Sequence, residues 1–155
     1  MIHIGIDPGL DGAVAILSDG KEPYIFDAPT MMVGDKREYD IPTMANIFRN
    51  VDSSALVGLE LVHSMPGQGV RSMFSMGHGL GLWKGILGAL QLRYTMVTPQ
   101  RWKKALMDGM PKEKDAARLR AQQLFPTAEL HLKKHHGRAD ALLIAEFIRH
   151  HGSPA

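Results

Sequence analysis

The chain has 155 residues, enough for one domain with a hydrophobic core, and its 45% hydrophobic and 22% charged residues are ordinary for a globular protein. No apolar run reaches the roughly 18 residues of a membrane span, and Asp7 comes too early for a secretory signal. The absence of cysteine excludes disulfides, thiolate metal sites and a cysteine nucleophile. We expect a single domain over residues 1–150, a disordered tail over 151–155, and a cytoplasmic location.

The net charge of +2 conceals an uneven distribution. Residues 99–140 hold ten Lys or Arg and five acids, a net charge of +5, whereas residues 1–98 hold seven and ten, a net charge of −3. A basic surface beside an acidic region suits a protein that acts on a polyanion. A solvated helical face explains the same bias.

The first sixty residues predict mainly strands. Ile2–Ile6 and Gly12–Leu17 are apolar runs separated by a turn-rich hexapeptide, and Pro23–Asp27 is a short third strand. Asp40 is a plausible N-cap for a short helix with proline in its first turn. Leu56–Leu61 is again a strand.

A long glycine-rich helix is predicted over Val70–Leu92. Its glycines at 77, 81 and 85 are four residues apart and share one face. Glycine costs a helix interior about 1 kcal/mol relative to alanine, so the repetition indicates close approach of another backbone, either the sheet or a second subunit.

The second half of the chain is predicted to be mainly helical. Tyr94–Thr98 is the next strand, followed by helices over Pro99–Met107, Lys112–Phe125 and Arg138–His150. This order of elements predicts an α/β fold, a mixed sheet that starts with an antiparallel hairpin and has helices packed on both faces.

Three acids lie in mostly apolar surroundings. Asp7 ends the first strand, Glu60 ends the fourth, and Asp140 precedes the apolar stripe of the last helix. Acids are seldom buried unless they are paired or bind a metal. Converging carboxylates select Mg²⁺ or Mn²⁺, and two such ions hydrolyse phosphodiesters without a protein nucleophile. Taken singly, Asp7 also fits a turn cap, Glu60 a surface acid and Asp140 a first-turn helix acid.

Several segments resemble one family. Gly5-Ile6-Asp7-Pro8-Gly9 is similar to the opening motif of RuvC-type Holliday junction resolvases, and Glu60 matches the second catalytic acid of that family. His136–Ala145 is similar to the C-terminal motif, above all in the phage-type and plastid branches. Two further stretches are similar to segments of the same branches: Ser72–Gly77, and Pro99 followed by Trp102-Lys103-Lys104.

The resemblance implies an RNase H-like nuclease that cuts branched DNA by paired symmetric nicks, with two Mg²⁺ or Mn²⁺ ions per site, in a bacterial or phage-infected cell. It makes Asp7, Glu60 and Asp140 metal ligands. The fourth residue of the family, commonly an acid, lies three or four positions before the last aspartate, where this chain has Gly137 and His136. We choose His136 as the fourth catalytic and metal-binding residue, with His135 as its competitor.

The resemblance further implies a homodimer, because a four-way junction has two-fold symmetry. The glycine-rich helix is the candidate contact between subunits. Met73, Phe74 and Met76 lie near its start and are candidates for the same contact. Alternatively, Phe74 is a wedge between bases, and core packing would explain it too. Trp102 is assigned to packing. Lys112 and Lys114 are the candidates for the position nearer the cut. The expected phosphate contacts are Arg71, Lys103, Lys104, Lys112, Lys114, Lys133, Lys134 and Arg138.

Three other functions compete. An actin-like sugar kinase also opens with a Gly-x-Asp-x-Gly turn, but it needs two such domains and more residues than this chain has. A nuclease of the same fold could act on RNA or an RNA–DNA hybrid. A non-catalytic junction-binding protein would bind without metal and would not cut.

Overall fold

A computed structural model describes residues 1–152 of the chain, and a five-stranded mixed sheet forms its centre. The strands are β1 (Ile2–Asp7), β2 (Ala13–Ser18), β3 (Tyr24–Asp27), β4 (Thr30–Val33), β5 (Lys36–Tyr39), β6 (Leu56–Glu60) and β7 (Tyr94–Val97). The helices are α1 (Ile41–Asn46), α2 (Val70–Ala89), α3 (Pro99–Leu106), α4 (Ala116–Leu124) and α5 (His136–His151). A 3₁₀ turn, Lys133–His135, precedes α5.

The sheet order is β3-β2-β1-β6-β7. The first three strands are antiparallel neighbours, whereas β1–β6 and β6–β7 are parallel. In the β1–β6 register Ile6 lies opposite Leu59, so the next residues, Asp7 and Glu60, leave the sheet side by side at the same edge.

Alternation along the strands produces two hydrophobic cores. Ile4 and Ile6 of β1 point to one face, where they meet buried residues of α1 and α2 such as Met44 and Trp83. The other face is covered by α5, flanked by α3 and α4. Every residue of α5 from Ala141 to Ile148 is buried. The predicted mixed sheet with helices on both faces is therefore confirmed.

The β4–β5 hairpin was not predicted. It forms a separate two-stranded sheet between β3 and α1, with Gly34 in the left-handed region (φ +63°) at its turn. Its strands are only four residues long and largely exposed, so they show no hydrophobic alternation.

Other predicted boundaries need small corrections. Helix α2 ends at Ala89, and α4 begins at Ala116, with Asp115 at its N-cap, rather than at Lys112. Helix α5 begins two residues earlier than predicted and continues to His151, while positions 153–155 of the expected tail lie outside the described residues. Within residues 1–152 no helix is long and apolar enough to span a membrane.

The predicted close approach of the α2 glycines to the sheet is wrong. Gly77, Gly81 and Gly85 are exposed, and a Cβ at any of them would meet nothing within 4 Å. Within α2, the position that has no room for a side chain is Gly79, where a Cβ would overlap the Pro8 carbonyl and the Tyr39 hydroxyl.

Candidate active site

Asp7 and Glu60 lie on the α5 side of the sheet. Side chains two apart along a strand share a face, so Asp7 lies on the face of Gly5 and Glu60 on that of Gly58. Both glycines touch α5: a Cβ at Gly5 would overlap the Ala141 carbonyl, and one at Gly58 would lie 2.5 Å from Ile148 Cγ1. The small residues let α5 lie directly on the strands whose ends carry the two acids.

Asp140 completes the acidic group from α5. It immediately precedes Ala141, the residue whose carbonyl rests on Gly5. Its carboxyl is affected by the charges of both Asp7 and Glu60, so the structure brings together the three acids predicted from the sequence. Glu60 is 7% exposed, whereas Asp7 and Asp140 are half-buried and keep contact with solvent.

Burial raises the pKa of all three carboxyls, and the charge of neighbouring acids raises those of Asp7 and Asp140 further. Burial, then the neighbouring charge of Glu60, raises the pKa of Asp7 to about 7, although the Gly9 amide donates a weak 3.4 Å hydrogen bond to it. Burial also raises the pKa of Asp140 well above its usual value, and the charges of Asp7 and Glu60 add to the rise. The pKa of Glu60 is raised by burial as well. Such a cluster favours either protonation or a bound cation.

Helix α3 supplies two groups to Glu60. The Trp102 indole N–H donates a 2.9 Å hydrogen bond to Glu60 Oε1, and Trp102 is fully buried. The positive charge of Lys103 opposes the raised pKa of both Glu60 and Asp140. Its ammonium also lies 5.3 Å from the centre of the Trp102 ring.

The burial of Trp102 confirms its assignment to packing, whereas its hydrogen bond to Glu60 was not predicted. Thr98, whose hydroxyl accepts from the Arg101 amide, and Pro99 mark where α3 begins, and both were visible in the sequence. The partner of the indole was not visible, because Glu60 lies 42 positions away.

The segment before Asp140 explains why no acid stands at position 137. A Cβ at Gly137 would overlap the backbone carbonyl of Asp11, so α5 rests directly on the Asp11–Gly12 turn. His135 is buried, and its Nδ1 accepts a 3.3 Å hydrogen bond from the Leu132 amide. His136 is exposed beside that turn, in a cavity of about 410 Å³ that Asp11 and Lys134 also line. Of the two histidines, His136 has the free ring.

The carboxylates suit a hard divalent cation by donor chemistry, since Mg²⁺ and Mn²⁺ prefer oxygen ligands. They lie close together, and burial raises their pKa values more than the positive charge of Lys103 lowers those of Glu60 and Asp140. Within residues 1–152, however, no three or more Asp, Glu or His side chains are already arranged so that they could hold a metal ion. The residue types and their proximity therefore suit such an ion, although the side chains are not yet arranged around one metal position.

The basic residues divide into exposed and engaged ones. Arg138 is engaged: its guanidinium donates to both Asp27 carboxylate oxygens, at 2.7 and 2.9 Å, and lies 3.4 Å from Glu129 Oε2. Arg138 therefore ties α5 to β3 and to the segment that contains Glu129. The exposed members of the predicted phosphate-binding set are Arg71, Lys103, Lys104, Lys112, Lys114, Lys133 and Lys134.

Phe74 does not belong to the core. It is 76% exposed, so the packing interpretation of this residue is wrong.

Comparison with known proteins supports the assignment of the fold. No family model matches the chain. A chloroplastic Holliday junction resolvase, MOC1 of Chlamydomonas reinhardtii, is 38% identical over 94 residues, which are 59% of this chain. The chain spans only 11% of the length of that relative.

The solved structures match over nearly the whole chain. Thermus thermophilus RuvC in complex with a Holliday junction substrate superposes with a TM-score of 0.67 at 16% identity, covering 98% of this chain and 96% of RuvC. A second structure of T. thermophilus RuvC superposes with a TM-score of 0.66 at 17% identity, covering 98% of this chain and 97% of RuvC. This chain therefore has the RNase H-like fold of the RuvC-type Holliday junction resolvases.

Proposed function

We propose that this protein is a divalent-metal-dependent endodeoxyribonuclease that resolves four-way DNA junctions by paired symmetric nicks. The observation that carries the proposal is the grouping of Asp7, Glu60 and Asp140 at one sheet edge, where burial raises the pKa of all three carboxyls. The similarity to MOC1 and to RuvC with its junction substrate supports the choice of substrate.

Asp7, Glu60 and Asp140 would hold Mg²⁺ or Mn²⁺, with His136 as the proposed fourth residue. Two such ions activate a water and stabilise the leaving oxygen of a phosphodiester. The indole of Trp102 fixes one oxygen of Glu60, which leaves the other free for a ligand. Lys103 brings a positive charge to the same edge, where negative charge develops on the phosphate during cleavage.

The exposed lysines after β7 would guide the DNA. Lys104 follows Lys103 on α3, while Lys112 and Lys114 lie in the exposed segment before α4, and Lys133 and Lys134 precede α5. All belong to the stretch with the +5 net charge. Because phosphate contacts release counterions, we expect junction binding to weaken steeply with salt.

A homodimer belongs to the proposal, because paired nicks across a two-fold junction need two sites. The α2 face that carries Gly77, Gly81 and Gly85 is the proposed contact between the two subunits. A Cβ at these positions would meet nothing within 4 Å in the protomer, which leaves room for a second subunit. We keep the bacterial cytoplasm as the proposed compartment; the relative that matches is chloroplastic.

The test compares a synthetic four-way junction, a matching linear duplex and an RNA–DNA hybrid, each with Mg²⁺ or Mn²⁺. We expect symmetric nicks in the junction alone, and their loss in Asp7→Asn. The control is Asp52→Asn. Asp52 is exposed, and an asparagine in its place can still accept the hydrogen bond from the Ser54 amide.

Two results would contradict the proposal. Tight junction binding without nicking in either metal would indicate a binding protein. Cleavage of the hybrid instead of the junction would indicate an RNA-directed nuclease.

A further inference from the structure

One peptide unit links the β4–β5 hairpin to the first acid of the site. The Pro8–Gly9 peptide directly follows Asp7, and both of its polar groups are engaged. Its N–H, that of Gly9, donates a 3.4 Å hydrogen bond to Asp7 Oδ1. Its carbonyl oxygen, that of Pro8, accepts a 3.2 Å hydrogen bond from the Tyr39 hydroxyl. Because the peptide bond is planar, these two hydrogen bonds are joined through one rigid unit.

Tyr39 ends β5 and is held firmly in place. It is buried and belongs to the core on the α2 face of the sheet. Its ring packs edge-on against that of His78, with 5.6 Å between the ring centres. Its hydroxyl also lies 3.4 Å from the carbonyl oxygen of Ser75 in α2. A hydroxyl has one hydrogen to donate, and the shorter distance assigns it to Pro8.

Helix α2 leaves room for this contact through a glycine. A Cβ at Gly79 would overlap both the Tyr39 hydroxyl and the Pro8 carbonyl. Glycine weakens a helix interior relative to alanine, so a glycine at this position needs a structural reason. The meeting of the hydroxyl and the carbonyl against the helix supplies that reason.

A second contact fixes the same turn further along the chain. Arg37 lies two residues before Tyr39 and therefore on the same face of β5. Its guanidinium pairs with Asp11 at 2.5 Å. The hairpin forms a sheet of its own, separate from the central one. It therefore holds the turn at residues 8 and 11 from outside the central sheet.

The Asp7 carboxyl depends on its hydrogen bond to the turn. Burial and the charge of Glu60 raise the pKa of Asp7 to about 7, and the Gly9 amide acts in the opposite direction. Hydrogen bonds in a chain polarise one another, so donation to the Pro8 carbonyl makes the Gly9 N–H a stronger donor. Loss of the Tyr39 hydroxyl would weaken that donor and leave the peptide plane less firmly oriented.

We propose that Tyr39 is a positioning residue for the nuclease site: its hydroxyl orients the Pro8–Gly9 peptide, whose N–H holds Asp7 Oδ1 and leaves Oδ2 for a metal ion. The inference rests on the proposed function for the role of Asp7 as a metal ligand. It assigns the β4–β5 hairpin to the support of the turn that follows β1.

The experiment uses Tyr39→Phe, which removes the hydroxyl and keeps the ring in the core. In the metal-free protein the amide ¹⁵N and ¹H resonances of Gly9 should shift, because hydrogen bonds at both ends of its peptide change. The affinity for Mn²⁺, measured by electron paramagnetic resonance without DNA, should fall about 2- to 13-fold, as expected for one neutral hydrogen bond. Nicking should be slowed most at low Mn²⁺ and approach the wild-type rate at saturation.

Three further variants separate this role from packing. Tyr24→Phe removes an exposed hydroxyl on β3 and should leave the Gly9 resonances and the Mn²⁺ affinity unchanged. Gly79→Ala pushes a methyl group into the contact and should act in the same direction as Tyr39→Phe. Gly88→Ala is its control, because a Cβ at this α2 position meets nothing within 4 Å in the described part of the chain.

Unchanged Gly9 resonances in Tyr39→Phe would overturn the proposal, because the hydroxyl would then donate to Ser75 instead. Shifted resonances with unchanged Mn²⁺ affinity would overturn it as well, because the peptide would then not act on Asp7. These outcomes are separate from the proposed function. Normal nicking with unchanged Gly9 resonances removes the role of Tyr39 alone, whereas a wild type that neither binds Mn²⁺ nor nicks removes the proposed function, and with it the metal ligand that Tyr39 would support.

Discussion

Replacing Trp102 with Phe removes the indole N–H that holds Glu60 but keeps an aromatic ring in the core. Hydrogen bonds to charged groups are worth about 1.5–3 kcal/mol, and loss of the donor leaves a buried carboxylate oxygen unpaired. If the full amount is lost from the transition state, the nicking rate falls about 10- to 150-fold.

The chain contains a matched control for the packing loss. Trp83 is fully buried as well, and within the described residues its indole nitrogen has no hydrogen-bond partner. Trp83→Phe should therefore cost a comparable packing term, on the order of 1–3 kcal/mol of stability, with little change in the nicking rate.

The assay combines single-turnover junction nicking with stabilisation of the uncut protein by Mn²⁺. We expect Trp102→Phe to lower the nicking rate and to need more Mn²⁺ for the same rise in melting temperature, whereas Trp83→Phe keeps both. The reasoning would be refuted if the two variants were destabilised equally and nicked equally fast, because the hydrogen bond to Glu60 would then have no role beyond packing.

Further predictions concern titration, helix contacts and assembly. Because the native pKa of Asp7 is raised from its usual 3.8 to about 7, the metal-free native state retains a proton that the unfolded state releases, so stability falls as pH rises from about 4 through 7. At about 1.4 kcal/mol for each pH unit, the two units between pH 5 and the pKa of about 7 amount to about 3 kcal/mol, measured by urea unfolding at pH 5 and 8, recovered by Mg²⁺ and reduced in Asp7→Asn. Gly137→Ala should lose about 1–3 kcal/mol of unfolding free energy, because its Cβ would overlap the Asp11 carbonyl. Gly77→Ala, which has open space around it, should gain up to about 1 kcal/mol. Equal effects of the two variants would contradict the packing of α5 on the Asp11–Gly12 turn. Gly81→Leu should leave the protomer folded and shift the mass measured by light scattering from dimer to monomer, and an unchanged dimer would exclude this face as the contact.

Local sequence patterns predicted the parts of the site that lie along single elements. Apolar runs over β1 and β6 predicted both strands and placed Asp7 and Glu60 at their ends. Periodicity in α5 gave the buried helix that carries Asp140. The antiparallel start and the parallel neighbours then put these ends at one edge, and the resemblance to a known family supplied that topology.

Contacts between distant segments could not be predicted in the same way. The indole of Trp102 had no sequence signal for its partner Glu60. The glycines that touch other backbone, Gly5 and Gly137, do not form the regular spacing that drew attention to the exposed α2 glycines.

The β4–β5 hairpin was a different kind of omission. Gly34-Asp35 between two short runs is a two-residue turn signal of the kind that joins hairpin strands, so the hairpin could have been found. Its strands escaped attention because most of their residues are exposed and their side chains do not alternate between apolar and polar.

Symmetric nicking of a four-way junction by single and double variants tests whether Asp7, Glu60 and Asp140 act as one metal-dependent centre. We predict that Asp7→Asn, Glu60→Gln and Asp140→Asn each abolish nicking while retaining junction binding in EDTA, and that the Asp7→Asn, Asp140→Asn double variant is no worse than either single one, as expected for residues that act as a unit. Substantial nicking by any of the three single variants, or losses that multiply in the double variant, would contradict the claim.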